Sequence, residues 1–370
     1  MDFKEVNHKK SIILACPNLR HGGAEKNTVN LANELQNKGF GVSIVLLNKE
    51  GALLDQVNSD VEILSLNKSR SRYAFIAFAK VLRKKQSKFV ISMLRESSLM
   101  VSISLFFSKV KPFFIIREAC HYEYRLTPYK QLITFLYSKA NLFVANSQST
   151  LESFKANNIL TNVPSKVIYN PTLSKNFFGN LDQNFQHQWL DDDEIITLIT
   201  GGRLEKGKGV DQVILAFQLL SKRLENLRLV ILGDGSQRND LKKSVESSDL
   251  DDKVDFLGFV DNPSLYIRKA NLFIMASENE GFGNLLVEAM ACGTKVLARN
   301  SGGPKEILDN GKVGFLKEFN SPERLAFEIE QALSLPCDVK KLIARAKNYS
   351  VSRITEEYLS IFDKSLEFIE

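Results

Sequence analysis

The sequence predicts two tandem doubly wound α/β domains, on three observations. Short runs of continuous apolar character alternate with longer amphipathic runs along nearly the whole chain. Strands apolar on both faces and separated by helices belong to a parallel sheet covered on both sides. The alternation pauses once, in the polar, Asn- and Gln-rich stretch 172–193, and then resumes. A length of 370 residues suits two domains better than one core.

The first half opens with a compact apolar strand at 11–16, a Gly-rich turn, a helix at 24–38 and a strand at 42–47. Further strands are expected at 61–66, 89–93, 113–116, 142–145 and 166–169, with helices between them such as 74–85 and 128–139. Asn170 and Pro171 mark the start of a linker. The second half places strands at 195–200, 227–232, 254–257, 272–275 and 295–298. Its helices fall at 210–223, 237–247, 283–291 and 322–333, and 302–306 reads as a loop. A last helix at 352–369 takes its apolar face from Ile354, Tyr358, Ile361 and Leu366. The predicted division is 1–173, 174–350 and a terminal helix at 351–370.

Composition narrows the class. Apolar residues make up 44% and charged residues 25%, which argues against disorder. Cys16, Cys120, Cys292 and Cys337 stand far apart without a CxxC or Cys/His cluster, so buried free thiols are expected rather than disulfides or a zinc site. Residues 1–10 are polar, and the longest apolar stretch, 99–107, is broken by Ser102 and Ser104. That is far short of the roughly 20 residues of a spanning helix, so a cytoplasmic protein is expected. Residues 1–173 carry 24 Lys and Arg against 12 Asp and Glu, and the remainder 25 against 31. A basic first half implies an anionic partner; no nucleic-acid-binding motif accompanies it.

Ligands of doubly wound sheets bind at the C-terminal ends of the strands, so strand-to-helix loops are where chemistry is sought. Asn18 to Glu25 (NLRHGGAE) follows the first strand. Gly22 and Gly23 permit close backbone approach, and the next helix offers amide groups to an anion; a plain glycine turn is the alternative. Gly201 to Gly209 (GGRLEKGKG) holds Arg203 and Lys208, two cations able to neutralise a diphosphate. Ser277 to Glu288 (SENEGFGNLLVE) places Glu280 in a loop and Glu288 on the following helix, sharing a face with Asn284. A carboxylate suits vicinal hydroxyls: Glu288 those of a ribose, Glu280 those of a hexose. Leu285, Leu286, Val287, Ala289 and Met290 are apolar, which makes a charge at Glu288 conspicuous.

In order and spacing, these segments resemble the retaining glycosyltransferases of family 4, the group 1 set with the GT-B fold. The resemblance rests on Gly22 to Glu25, Gly202 to Gly209, Glu280 to Glu288 running into Ala289–Gly293, and Gly302 to Glu306. It implies two Rossmann-like domains facing across a cleft, with the terminal helix crossing back to the first. It also implies site roles. Arg203 and Lys208 would bind the donor diphosphate and stabilise the leaving group, and Glu288 would hold the ribose. Glu280 would contact the donor sugar, with Phe282, Gly283, Asn284 and Leu285 supplying backbone contacts. Gly258, Phe259 and Val260 would lie against the base. Gly22 and Gly23 would approach the diphosphate and acceptor. Many relatives carry a catalytic-site His in the first domain, and His121 stands in that place. Arg117 and Glu118 depart from the His-Asp form and match a subgroup using this loop differently; an ordinary surface His is the other reading. No metal or other cofactor is implied, since the Arg/Lys pair neutralises charge; Asp191, Asp192 and Asp193 read as an exposed acidic turn.

The implied reaction moves a hexose or N-acetylhexosamine from a nucleotide-sugar, expected to be a UDP-sugar, to a lipid-linked or polysaccharide acceptor in bacterial surface glycan synthesis (capsule, O-antigen or lipopolysaccharide). A sucrose or glycogen synthase-like transferase, a sugar-nucleotide epimerase and a non-catalytic nucleotide-sugar-binding subunit are the alternatives. Two basic-aromatic groups suggest docking on the inner membrane face; core aromatics beside a solvated basic face are the alternative. The first has Arg70, Arg72, Lys80, Arg83, Lys84, Lys85 and Lys88 with Tyr73, Phe75 and Phe78. The second has Phe106, Phe107, Lys109, Lys111, Phe113 and Phe114.

Overall fold

The structure is a computed structural model that describes residues 11–122, 128–183 and 185–367. The chain forms two compact units. One runs to Ser174 and takes the chain up again from Ser350; the other is Lys175–Tyr349.

The first unit holds a parallel sheet of β1 (Ser11–Cys16), β2 (Gly41–Leu46), β3 (Glu62–Ser65), β4 (Phe89–Ser92), β5 (Phe113–Glu118), β6 (Leu142–Ala145) and β7 (Ser165–Val167). Its order is β3-β2-β1-β4-β5-β6-β7, so the winding reverses between β1 and β4. The helices are α1 (Gly23–Asn37), α2 (Phe75–Lys85), α3 (Arg95–Ser108), α4 (Lys130–Tyr137) and α5 (Gln148–Ala156). β1 shows why its run is continuously apolar: Ile12, Leu14 and Cys16 enter one core layer, Ile13 and Ala15 the other, and all are fully buried.

The second unit repeats the design with β8 (Ile196–Gly201), β9 (Leu227–Leu232), β10 (Val254–Gly258), β11 (Leu272–Met275), β12 (Val296–Arg299) and β13 (Phe315–Lys317). Their order is β10-β9-β8-β11-β12-β13, all parallel, with the reversal between β8 and β11. Its helices are α6 (Val210–Ser221), α7 (Arg238–Glu246), α8 (Pro263–Ile267), α9 (Asn284–Ala291), α10 (Gly302–Ile307), α11 (Pro322–Ser334) and α12 (Val339–Ala346).

The last helix, α13 (Val351–Glu367), belongs to the first unit and lies against α1. Its buried apolar face is Ile354, Tyr358 and Phe362, one turn apart, with Phe362 on Phe89 at 4.4 Å between ring centres. Phe362 takes the place expected of Ile361, which is only partly buried. The side chain of Leu366 and the predicted helix end at 368–369 lie outside the described residues.

Two expectations change. Residues 302–306 form α10 rather than a loop. Of the four thiols expected to be buried, only Cys16 is, and burial pushes it up to about 12; Cys120 is exposed because it lies past the end of β5, and Cys292 and Cys337 are half-buried. As expected, a helix, α3, fills the interval between β4 and β5; its serines satisfy themselves, Ser98, Ser102 and Ser104 donating back to the Leu94, Ser98 and Met100 carbonyls.

Candidate active site

In the second unit the loops after β8 and β11 lie side by side at the switch point, and backbone bonds lock them together. The Glu278 amide donates to the Gly207 carbonyl at 2.9 Å. Gly209 has φ +72, and a Cβ there would sit 2.3 Å from the Ala276 carbonyl oxygen, so only glycine allows this approach. The loop after β12 joins the same group. The Gly303 amide donates to the Glu280 carbonyl at 2.9 Å, and the Ser301 hydroxyl to the Ser277 carbonyl at 3.2 Å.

This backbone frame brings two predicted residues into direct contact. The Lys208 ammonium donates to Glu280 Oε2 at 2.7 Å, with both side chains partly sheltered. Arg203 instead stands exposed on its loop. The nearby Glu205 carboxylate accepts the Ser236 amide and hydroxyl, at 3.0 and 2.5 Å, and is held below its ordinary range chiefly by those bonds. The loop after β8 is thereby tied to the start of α7, and Arg203 is held on a fixed stem.

Glu288 is buried within α9 at 2% exposure, and the Ser264 hydroxyl of α8 donates to its Oε2 at 3.1 Å. A carboxylate in that position can only be tolerated with bonded partners. Its charge adds to the burial that pushes the Cys292 thiol up to about 12. Gly283, at φ +112, precedes α9, whose first amides are those of Asn284 and Leu285. Phe282 turns inward at 2% exposure and meets Tyr349 edge-on, so only its backbone belongs to the loop surface. Phe259 follows β10 and is 49% exposed. The Asp191–Asp193 turn is exposed, and Asp191 pairs with Lys269.

In the first unit, Gly22 precedes α1 and Gly23 begins it. Here the anion-site reading is modified. Glu25 folds back so that a Cβ on Gly22 would fall 2.1 Å from its Oε2, and the first turn already carries the chain's own carboxylate. His121 follows β5; its Nε2 lies 3.0 Å from the Ser149 hydroxyl at the start of α5, and its carbonyl accepts from Arg95. Arg117 and Glu118 are not loop residues. Both are in β5 and essentially fully buried, pointing into opposite layers as strand neighbours must. Arg117 donates to Asn170, and Tyr137 donates its hydroxyl proton to Glu118. Burial raises the Glu118 carboxyl to about 7, with Arg95 opposing. Sequence reasoning read this pair as loop chemistry because charged residues ending an apolar run look like its boundary.

The family described as glycosyl transferases group 1 matches residues 182–349. An uncharacterised glycosyltransferase of Haemophilus influenzae is 25% identical over 361 residues, 92% of this chain and 96% of that protein. The chain is a glycosyltransferase, and the group 1 match falls in its second unit. A relative of this glycosyltransferase in Campylobacter jejuni is 27% identical over 376 residues, covering 95% of this chain and 98% of the relative. It is named as an alpha-1,4-N-acetyl-D-galactosaminyltransferase for a GalNAc-GalNAc-diNAcBac-diphospho-undecaprenol. Among solved structures, HepE of Anabaena in complex with UDP and glucose superposes with a TM-score of 0.75 at 21% identity, over 96% of this chain and 100% of HepE. The fold of the glycosyltransferase is therefore GT-B, with a Rossmann-like sheet in each unit.

Proposed function

We propose that this glycosyltransferase transfers a hexose or N-acetylhexosamine, with retained configuration, from a UDP-sugar to a lipid-linked or polysaccharide acceptor of a bacterial surface glycan. The observation that carries the reading is the Lys208–Glu280 pair, built by interlocked loops at the switch point of the second unit. Lys208 supplies a point charge for the diphosphate, and Arg203, exposed on the same loop, a planar fork. Glu280, already held by Lys208, accepts hydroxyls of the donor sugar beside the phosphate that Lys208 binds. Glu288 accepts ribose hydroxyls, and the amides of Asn284 and Leu285 face the phosphates.

In the reaction the bond between the sugar's anomeric carbon and the diphosphate oxygen breaks, and its electron pair leaves on that oxygen. Lys208 and Arg203 stabilise the charge that develops there without a metal or other cofactor. The acceptor hydroxyl forms its bond on the face the diphosphate vacates and passes its proton to the departing diphosphate oxygen. HepE carries UDP and glucose, and the Campylobacter relative is named for a diphospho-undecaprenol acceptor; both support this choice of donor and acceptor class. Such an acceptor places the work at the cytoplasmic face of the membrane. His121, Gly22 and Gly23 serve the acceptor side.

Thermal-shift screening against UDP-, GDP- and ADP-sugars tests the donor, because ligand binding raises stability by mass action. A UDP-sugar should raise the melting temperature most; stabilisation by GDP- or ADP-sugars alone overturns the base. The anomeric coupling of the product, read by NMR, tests retention.

A further inference from the structure

The first unit carries an apolar surface that its fold does not use. α4 is apolar on both sides. Ile133, Leu136 and Tyr137 are buried, while Leu132 and Phe135 are 56% and 52% exposed. Leu132 and Phe135 fall within about 60° of each other on the helical wheel, and Lys139 follows just past the helix end. Next to them, at the end of α3, Phe106 and Phe107 are 54% and 50% exposed. Phe106 stacks on Phe135 at 6.0 Å with 16° between planes, so the two helices share one continuous patch. The Lys139 ammonium lies 4.6 Å from the Phe135 ring centre and 5.3 Å from that of Phe106. A groove of about 670 Å³ beside it has Phe106 and Phe113 in its wall and Lys111 and Lys139 at its rim.

The two stretches that build the patch carry charge of one sign. Residues 97–117 and 128–151 contain no Asp or Glu, and their lysines are Lys109, Lys111, Lys130 and Lys139. A surface helix with an apolar outer face needs an apolar neighbour. A second copy of this face would set lysine against lysine. An anionic lipid surface instead accepts aromatic rings at its headgroup boundary and attracts lysines around them. No helix among the described residues is long and apolar enough to cross a membrane, so the contact would be peripheral.

We propose that the α3–α4 face is the membrane-docking surface of this glycosyltransferase, with an anionic phospholipid leaflet as its partner. The proposal deepens the reading of a lipid-borne acceptor and rests on it. It keeps Phe106, Phe107, Lys109 and Lys111 from the groups that the sequence suggests. Phe78 and Phe114 are fully buried core, and α4, which the sequence does not single out, adds Leu132 and Phe135 to the exposed apolar face.

The test is co-sedimentation of the full chain with vesicles rich in phosphatidylglycerol and with vesicles of phosphatidylcholine alone, at low and high salt. The wild type should bind the anionic vesicles, and salt should weaken the binding. Phe106→Ser with Phe135→Ser should lower the affinity about tenfold or more, as loss of two partly buried rings implies. Lys109→Glu with Lys111→Glu should lower it and flatten the salt dependence. All four positions are exposed or half-exposed, so the variants should fold, and each should keep the wild-type thermal shift with UDP. That readout separates failure of docking from failure of the donor site. The proposal is overturned if the wild type stays in the supernatant with anionic vesicles at low salt. It is equally overturned if both variants bind like wild type, or if the patch holds a dimer that Phe106→Ser with Phe135→Ser dissociates.

Discussion

Replacing Glu118 by Gln should change how stability depends on pH, and the size of the change follows from its surroundings. Glu118 ends β5 in a fully buried position, where burial raises its carboxyl from 4.5 to about 7. Arg95, the Tyr137 hydroxyl and Arg117 pull it down, and Glu96 pushes it up. The folded chain therefore holds a proton that the unfolded chain releases between those two values. Its contribution is fully present below pH 4.5 and is lost as pH rises through about 7. A difference of about 2.5 units corresponds to about 3 kcal/mol. Gln keeps the shape and an acceptor for Tyr137 but cannot ionise. Urea unfolding of both proteins across this pH range gives the difference directly, since other groups cancel. The variant should gain on the wild type by about 3 kcal/mol over the range and be the more stable protein above it. Parallel profiles would refute the reasoning, as would a Gln variant less stable than wild type at high pH.

Gly209→Ala should destabilise the second unit by about 2–4 kcal/mol, from a strained positive φ and a clash with the Ala276 carbonyl; urea unfolding measures it. The same variant should weaken UDP binding, because the strand-end contact it breaks adjoins Lys208. Phe362→Ala should cost about 3–5 kcal/mol, since the ring is fully buried against Phe89 and Phe40, and unchanged stability would mean that α13 is not held there.

The sheet strands were legible because a parallel strand covered on both faces has to be continuously apolar, as 11–16 and 227–232 are. Glu280 and Lys208 were legible as neighbours because both follow strands that flank a switch point, and their loops carry the glycines that close approach requires. Arg117 and Glu118 were misread because burial of a charge depends on partners distant in sequence, Asn170 for one and Tyr137 for the other. The short β13 and α10 went unread for want of length: three and six residues carry too little period to register. The serines of α3 do not break its helix, since they bond back to carbonyls one turn earlier. The outer face of α4 stayed invisible because an apolar residue does not declare which side of a helix is covered.

The central claim is that the loop holding Lys208 and Arg203 recognises a nucleoside diphosphate. Isothermal titration of UDP and UMP into the wild type, Lys208→Ala and Arg203→Ala tests it most directly. UDP should bind the wild type at least about tenfold more tightly than UMP, and either substitution should remove most of that preference. With the transferred sugar present, Lys208→Ala should also raise the barrier by about 2–4 kcal/mol. Equal affinities for UDP and UMP in the wild type, or a preference unchanged in both variants, would contradict the account.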